Sequence, residues 1–187
     1  EGAVVLATEG QRRLWLLQQL YPDSAFYQYT HQYDIAGPLD LDLLEQSFQQ
    51  LVERREILRA NFVESANGLE LRIQPSRTVK LEAVQLTNFS LNNTASPVAP
   101  EVNNATRNGA ANENYSLATL KFGKQLFDLA KDPLFRVGVI KLGEQQHRLL
   151  LSLHHIIGDR GSLQILETEL FVTYSALANG QSPELPE

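Results

Sequence analysis

An apolar run that ends in two adjacent histidines constrains this chain more than any other stretch. Residues 149–153 read Leu-Leu-Leu-Ser-Leu, with polar residues before them and a glycine-containing turn after them. A run this short, bounded in this way, is typical of a buried β-strand and is too short for a helix. We therefore predict a core strand that carries His154 and His155 at its end, followed by a turn that contains Asp159.

The residues after that turn predict a helix packed against the strand. Leucines and a tyrosine recur there at helical spacing, and Ser162 stands where an N-cap residue could begin the helix. Two packed elements would then hold the histidine pair still. Because successive strand residues point to opposite faces, we expect one histidine to react and the other to support it.

Helical and strand patterns alternate along the rest of the chain. They predict a helix over 8–20, a strand over 29–35, a helix capped by Asp40, a hairpin with its turn at 67–68, and a strand within 79–86. A short helix and a second hairpin, which includes the leucine run, follow. This order predicts an α/β domain: a layered mixed sheet with flanking helices.

Two stretches differ from this pattern. Residues 88–115 are rich in Asn, Ala, Ser and Thr with little apolar periodicity, which predicts a mobile surface insert, with the short helix only near 117–126. Residues 179–187 are turn-rich and predict the start of a linker. Because the chain contains no methionine, we expect it to be part of a longer protein.

Composition disfavours several classes of function. The formal net charge of −6 argues against nucleic acid as a partner. No apolar run approaches the roughly 20 residues that a membrane-spanning helix needs. The absence of cysteine excludes disulfides and thiolate metal sites and is compatible with a cytoplasmic location.

The histidine pair has three interpretations. A metal site is disfavoured because the other two histidines, His31 and His147, are isolated in sequence. A structural role is the usual one for a lone histidine, but a pair beside an aspartate and a helix start favours catalysis. A histidine with a pKa of about 6.5 can accept a proton from an amine or a hydroxyl. Since no Gly-x-Ser-x-Gly elbow is present, direct transfer between two bound substrates is favoured over a covalent intermediate.

Asp159 follows the histidine pair in the predicted turn. A carboxylate buried in a turn is costly unless it is paired, so we expect an arginine partner, first Arg59 and second Arg54. The aspartate would then fix the geometry of the turn rather than exchange protons.

Three motifs together resemble one family. The sequence HHIIGD at 154–159 is similar to the His-His-x-x-x-Asp-Gly motif of the condensation domains of nonribosomal peptide synthetases, in the chloramphenicol acetyltransferase-like superfamily. The sequence TEGQRRLW at 8–15 resembles the family's first motif, and RREILRANF at 54–62 resembles its second. Phe127-Asp-Leu, Pro133-Leu and Arg136-Val also match the usual approach to the histidine strand.

The resemblance implies a fold, a reaction and a set of partners. The chain would be the N-terminal lobe, residues 1–187, of a two-lobed fold, and it would join a donor acyl or peptidyl thioester to an acceptor aminoacyl thioester as an amide. No cofactor would be bound directly, since both substrates would be covalently attached to 4′-phosphopantetheine arms of donor and acceptor peptidyl carrier proteins. The C-terminal lobe and an adjacent adenylation domain would be further partners. Without that lobe half of the cleft would be missing, so the isolated lobe would be inactive.

The resemblance also assigns roles to site residues. His155 would position or deprotonate the acceptor amine, His154 and Asp159 would shape the site, and Arg59 or Arg54 would pair with Asp159. The family usually has glycine directly after the motif aspartate, whereas this chain has Arg160 and then Gly161, which we include among the residues that support the site. Arg55 likewise replaces a histidine of the second motif.

Three other functions fit parts of the sequence. Arg160 and the insert motivate a second hypothesis, in which the lobe is a degenerate, non-catalytic docking scaffold for carrier proteins. Epimerisation shares the histidine pair, but the form of the first motif favours condensation. Heterocyclisation is disfavoured because that branch replaces the histidine pair with aspartates.

Overall fold

The computed structural model describes residues 2–85 and 109–185, and for 109–115 it describes only the backbone. Four α-helices and seven strands lie in these ranges, in the order β1 (Val4–Leu6), α1 (Glu9–Leu20), β2 (Gln28–Ala36), α2 (Leu41–Arg54), a 3-10 helix (Glu56–Arg59), β3 (Ala60–Ser65), β4 (Gly68–Ile73), β5 (Leu81–Ala83), α3 (Gly109–Gly123), β6 (Phe135–Gly143), β7 (Gln146–His154) and α4 (Arg160–Ala178).

The strands form two sheets. In the larger sheet the order is β2-β7-β6-β5, with β2, β7 and β6 antiparallel and β5 parallel to β6. In the smaller sheet β4 lies between β1 and β3, and all three strands are antiparallel. The prediction of an α/β domain built on a mixed sheet with flanking helices is confirmed.

Strand β7 lies inside the larger sheet, with helices on both faces. Leu149, Leu151 and Leu153 point into the main core, which also contains buried side chains of α2 and α4. Leu150 points to the other face and packs with Phe122 of α3. Because both faces are covered, the strand is continuously apolar, as expected for a doubly buried strand.

Local signals fix several element boundaries as predicted. Thr8 caps α1 in a capping box with Gln11, and Asp40 caps α2 by accepting a hydrogen bond from the backbone N–H of Leu43. The hairpin between β3 and β4 turns just before Gly68, whose φ of 115° is a conformation that favours glycine. These ends orient α1 and α2 relative to the two sheets.

Other boundaries differ from the prediction. Helix α3 begins at Gly109, well before the predicted start near 117, because Ala110, Ala111 and Glu113 are good helix formers. Strand β5 covers only Leu81–Ala83 of the predicted 79–86. The remainder of the predicted insert, 88–108, lies outside the described residues. Strand β1 has no counterpart in the prediction, since three apolar residues carry no alternation.

Candidate functional site

The histidine pair lies where β7 ends, and its two members point to opposite faces of the sheet. The backbone N–H of His154 donates to the carbonyl of Leu134 (3.0 Å), and that of His155 donates to the carbonyl of Tyr27 (2.7 Å). The side chain of His154 is fully buried, whereas that of His155 is exposed. The prediction that the two histidines point to opposite faces is confirmed, and the structure adds that one imidazole is buried and the other accessible.

Hydrogen bonds fix the tautomer of the buried His154. Its Nδ1 accepts the backbone N–H of Ile156 (3.1 Å), so the ring proton lies on Nε2, which faces Oε1 of Gln18 at 3.3 Å. The Gln18 amide is oriented in turn, because its nitrogen donates to the carbonyls of Pro22 and Ser24. Burial, together with the neighbouring His155, lowers the pKa of His154 to about 4, which keeps this ring neutral at physiological pH.

The ring of Phe127 packs against His154, and a cation lies over that ring. The edge of Phe127 meets the His154 ring at a centroid distance of 6.4 Å and 89°. The guanidinium of Arg136 lies 3.9 Å from the centre of the Phe127 ring and donates to the carbonyls of Gln125 and Leu126. The stretch before β6 thus packs against the base of the site.

The exposed His155 has a different environment. Its ring contacts that of Tyr29 on the adjacent strand β2, with centroids 4.9 Å apart and planes tilted by 58°. No hydrogen bond to the His155 ring is formed by any residue of the described ranges. Its ring nitrogens are therefore available to an external group.

Two further elements hold the turn at residues 156–159. The side-chain amide of Gln11, on α1, donates to the carbonyl of Ile156 (3.3 Å). The Tyr29 hydroxyl, on β2, shares its proton between the carbonyls of Asp159 (2.9 Å) and Gly158 (3.3 Å). The first sequence motif and the histidine motif thus meet in space.

Asp159 caps helix α4. Its carboxylate accepts hydrogen bonds from the backbone N–H (2.8 Å) and the hydroxyl (2.9 Å) of Ser162, and the hydroxyl accepts the Asp159 backbone N–H. These bonds, the backbone one first, lower the pKa of Asp159. Ser162, the predicted N-cap, instead completes the capping box three residues later.

The predicted ion pair of Asp159 with Arg59 or Arg54 is wrong. The prediction assumed a buried carboxylate, but Asp159 is exposed and satisfied by Ser162. The Arg59 guanidinium donates to the carbonyls of Val52 and Glu53 at the end of α2, and to that of Gln74. It therefore caps a helix C-terminus, as cationic side chains often do.

Arg54 and Arg55 both bind a carboxylate that the sequence did not single out. Glu169 of α4 is 2% exposed, and its two oxygens accept from the Nε (3.0 Å) and Nη2 of Arg55. The Nε of Arg54 lies 3.5 Å from the same carboxylate. Two cations from the second motif thus fasten α2 to the middle of the helix that follows the histidines.

The two residues after Asp159 are both exposed. Arg160 is the first residue of α4, and Gly161 is the second. A Cβ at Gly161 would approach Asp159 Oδ1 at 3.4 Å, which is ordinary van der Waals contact. A Cβ at Gly158, by contrast, would lie 3.0 Å from the Cβ of Ser162. The close approach in this turn is therefore at Gly158, not at Gly161.

Cavities do not by themselves mark this site. A cavity of about 170 Å³ lies behind the turn and is lined by Ile157, Gly158, Ser162 and mostly apolar neighbours. A larger one, of about 660 Å³, lies at the opposite end of β7 beside His147, far from the turn. We place the site at the turn because the available imidazole and its supporting contacts are there.

The arrangement suits proton transfer to or from a bound group. One imidazole is accessible, and its neighbour is held neutral, so the pair does not carry two positive charges at physiological pH. The Ser162 hydroxyl is engaged by Asp159. Among the described residues this turn offers a base but no activated serine nucleophile.

Comparison with known proteins identifies the family. A family model described as "Condensation domain" matches residues 2–187. The chain belongs to the condensation-domain family. The resemblance carried by the three sequence motifs is therefore confirmed.

Curated relatives of this condensation domain are large synthetases. A linear gramicidin synthase of Brevibacillus parabrevis is 34% identical over 95% of this chain, and cyclosporin synthetase simA of Tolypocladium inflatum is 33% identical over 92%. The match covers 3% and 1% of those two proteins, respectively. The chain thus corresponds to a small part of such relatives.

Solved structures confirm the fold of the condensation domain. The starter condensation domain of rhizomide synthetase RzmA matches with a TM-score of 0.80 at 23% identity, over 99% of this chain and 42% of that one. The X-domain in its complex with OxyB from teicoplanin biosynthesis matches with a TM-score of 0.78 at 25% identity, over 100% of this chain and 35% of that one. The predicted chloramphenicol acetyltransferase-like fold is confirmed.

Sequence reasoning missed several residues of the site of this condensation domain. Tyr29 and Gln18 reach the histidine turn from distant parts of the chain, and Glu169 of α4 binds Arg54 and Arg55. None of the three lies in a quoted motif. Only Tyr29 left a usable signal, since it begins the aromatic alternation of the predicted strand over 29–35.

Proposed function

We propose that this chain supplies the reacting lobe of an amide-forming condensation domain in nonribosomal peptide synthesis. The observation that carries the proposal is the exposed His155 imidazole, which is free of protein hydrogen bonds within the described ranges and lies on a turn held by α1, β2 and α4. A rigid turn with an available base is what general base catalysis needs.

In the proposed reaction an acceptor amine attacks the carbonyl carbon of a donor thioester. A C–N bond forms, the C–S bond breaks, and the proton lost by the amine passes to His155 and then to the leaving thiolate. His154 stays neutral and holds the strand end, and Asp159 fixes the turn by capping α4. We assign support of the site to three further residues. Arg59 binds the C-terminal end of α2, Arg54 binds Glu169 of α4, and Gly161 lies in the first turn of α4.

The proposed substrates and partners follow from the synthetase relatives. Both thioesters would be carried on 4′-phosphopantetheine arms of donor and acceptor peptidyl carrier proteins, and no cofactor would be held by this chain. A C-terminal lobe would complete the cleft, with an adenylation domain adjacent to it in the cytoplasm. No helix in the described ranges is long and apolar enough to cross a membrane. Because His155 lies on an open face, we expect no turnover by the 187-residue chain alone.

Mass spectrometry of carrier-bound products tests this proposal. The two-lobed protein that carries this chain is mixed with a donor-loaded and an acceptor-loaded carrier protein, and the acceptor carrier is analysed intact. We expect the acceptor to gain the donor acyl mass. Carrier binding without any mass transfer would overturn the proposal and favour the docking-scaffold hypothesis that Arg160 motivates.

The variant Arg160→Gly tests the effect of that residue. Under our proposal this variant transfers the donor acyl group at least as fast as the wild type.

A further inference from the structure

The orientation of His155 depends on very few contacts. Its ring meets only the ring of Tyr29 among the aromatic contacts of the described residues, and its own backbone N–H is bound to the residue two positions before Tyr29. Without the Tyr29 contact, this exposed imidazole would sample several rotamers, because exposed side chains change rotamer on the picosecond to nanosecond scale.

Tyr29 contacts the site in two independent ways. The centre of its ring lies 4.9 Å from that of the His155 imidazole, and its hydroxyl donates to the carbonyls of Gly158 and Asp159. One side chain of the neighbouring strand therefore touches both the reacting group and the end of the turn that carries it. The hydroxyl bond also ends at the N-cap residue of α4, so it joins β2 to that helix.

The ring of Tyr29 is itself held in place. His31, two residues further along the same face of β2, meets it edge-on at 5.8 Å, and Tyr33 stacks on His31 at 6.3 Å. Tyr33 in turn contacts Phe171 and Glu167 of α4. Burial, together with Asp159, raises the pKa of Tyr29 to about 12, so its hydroxyl stays a donor at physiological pH.

From these contacts we infer that Tyr29 is a positioning residue for His155. Its hydroxyl fixes the backbone at Gly158 and Asp159, and its ring sets the plane of the imidazole that receives the amine proton. This inference rests on the proposed function for its consequence in catalysis. Its structural consequence, a His155 ring whose motion is restricted, is independent of the proposed function.

The chain offers a matched control on the same strand. Tyr33 lies on the same face of β2 as Tyr29 and also uses its hydroxyl in a hydrogen bond, but its partner is Glu167 and it does not touch the turn. The variants Tyr29→Phe and Tyr33→Phe each remove one hydroxyl and keep the ring. A third variant, Tyr29→Leu, removes the ring as well.

Two measurements test the inference. In the two-lobed protein, Tyr29→Phe should lower kcat for condensation about 10- to 100-fold with little change in KM for the acceptor carrier, and Tyr29→Leu should lower it further, because a small misplacement of a reacting group costs this much. Tyr33→Phe should match the wild type. In the 187-residue chain, NMR relaxation of the His155 ring should show greater mobility in Tyr29→Phe than in Tyr33→Phe.

The outcomes separate this inference from the proposed function. If the wild type condenses and Tyr29→Phe matches Tyr33→Phe in both kcat and ring mobility, the inference is overturned while the proposed function stands. If the wild type transfers nothing, the proposed function fails, and equal ring mobility in the two variants would then also overturn the role of Tyr29. Circular dichroism of all three variants identifies one that does not fold, and the NMR comparison then uses the remaining folded variant of Tyr29.

Discussion

At the scale of single residues, the two neighbouring histidines differ because strand geometry places them in different surroundings. His154 is enclosed by Gln18, Phe127 and the backbone of Ile156, and burial lowers its pKa to about 4. His155 is exposed and available. A sequence pattern can predict that the two residues face opposite ways, but the identity of the buried one depends on which distant residues, such as Gln18 and Phe127, enclose the end of the strand.

The low pKa of His154 predicts a specific loss of stability in acid. An unfolded chain binds this proton near pH 6.5 and the native one only near pH 4, so the stabilisation is present above about pH 6.5 and is lost as the pH falls toward 4. Such a shift corresponds to about 3 kcal/mol. We expect the difference in free energy of unfolding between the wild type and His154→Asn, measured with urea, to narrow by about 2 kcal/mol between pH 7 and pH 4.5. A difference independent of pH would contradict the assignment of His154 as a buried neutral ring.

At the scale of elements, helix α4 is fixed at its start and in its middle. Asp159 caps its first turn, and Glu169 binds Arg55 and Arg54 near the end of α2. These contacts set the position of the turn that carries His155. Each of them can be weakened separately, because the two sites share no residue.

The cap can be tested with two substitutions of Asp159. We expect Asp159→Ala to lower the urea midpoint of unfolding, because it removes an N-cap acceptor, and Asp159→Asn to match the wild type, since asparagine caps as well as aspartate. Chemical denaturation measures both. Equal loss in the two variants would indicate that the charge of Asp159 matters and that an ion pair exists after all.

The ion pair of Glu169 predicts a larger effect. The variant Glu169→Gln keeps the shape of the side chain but leaves the Arg55 guanidinium without a charged partner in a partly buried place, which we expect to cost about 2 kcal/mol. Glu167→Gln is the control, since Glu167 lies on the same helix and accepts, from the described part of the chain, a single hydrogen bond of 3.5 Å from Tyr33. Denaturation midpoints that coincide for the two variants would rule out a stabilising role for the pair.

The elements themselves are predictable from sequence where the signal is local. The apolar run of β7, the cap at Thr8 and the turn before Gly68 each depend on neighbouring residues. The partners of Asp159 and Glu169 are not predictable in this way. Those of Glu169 depend on which helices pack together across more than 100 residues of chain, and those of Asp159 depend on its exposure, which only the structure shows.

At the scale of the whole molecule, three distant segments converge on the histidine turn and on the helix that follows it. Gln11 of α1 and Tyr29 of β2 bind carbonyls of the turn, and Arg54 and Arg55 hold the helix that follows it. The motifs that identified the family are therefore parts of one structural unit. His155 remains exposed on the surface of that unit, and we propose that a second lobe covers it.

The most direct test of the role of His155 is the rate of amide formation by the two-lobed protein when this residue is replaced. We would measure single-turnover transfer between loaded carrier proteins for the wild type, for His155→Ala and for the control His31→Phe, which removes a half-buried imidazole of β2 but keeps an aromatic ring against Tyr29. We predict a loss of about 100-fold or more for His155→Ala, since a general base contributes at least that factor, and a rate within a few-fold of the wild type for His31→Phe. Transfer by His155→Ala at the wild-type rate would contradict the assignment of His155 as the base.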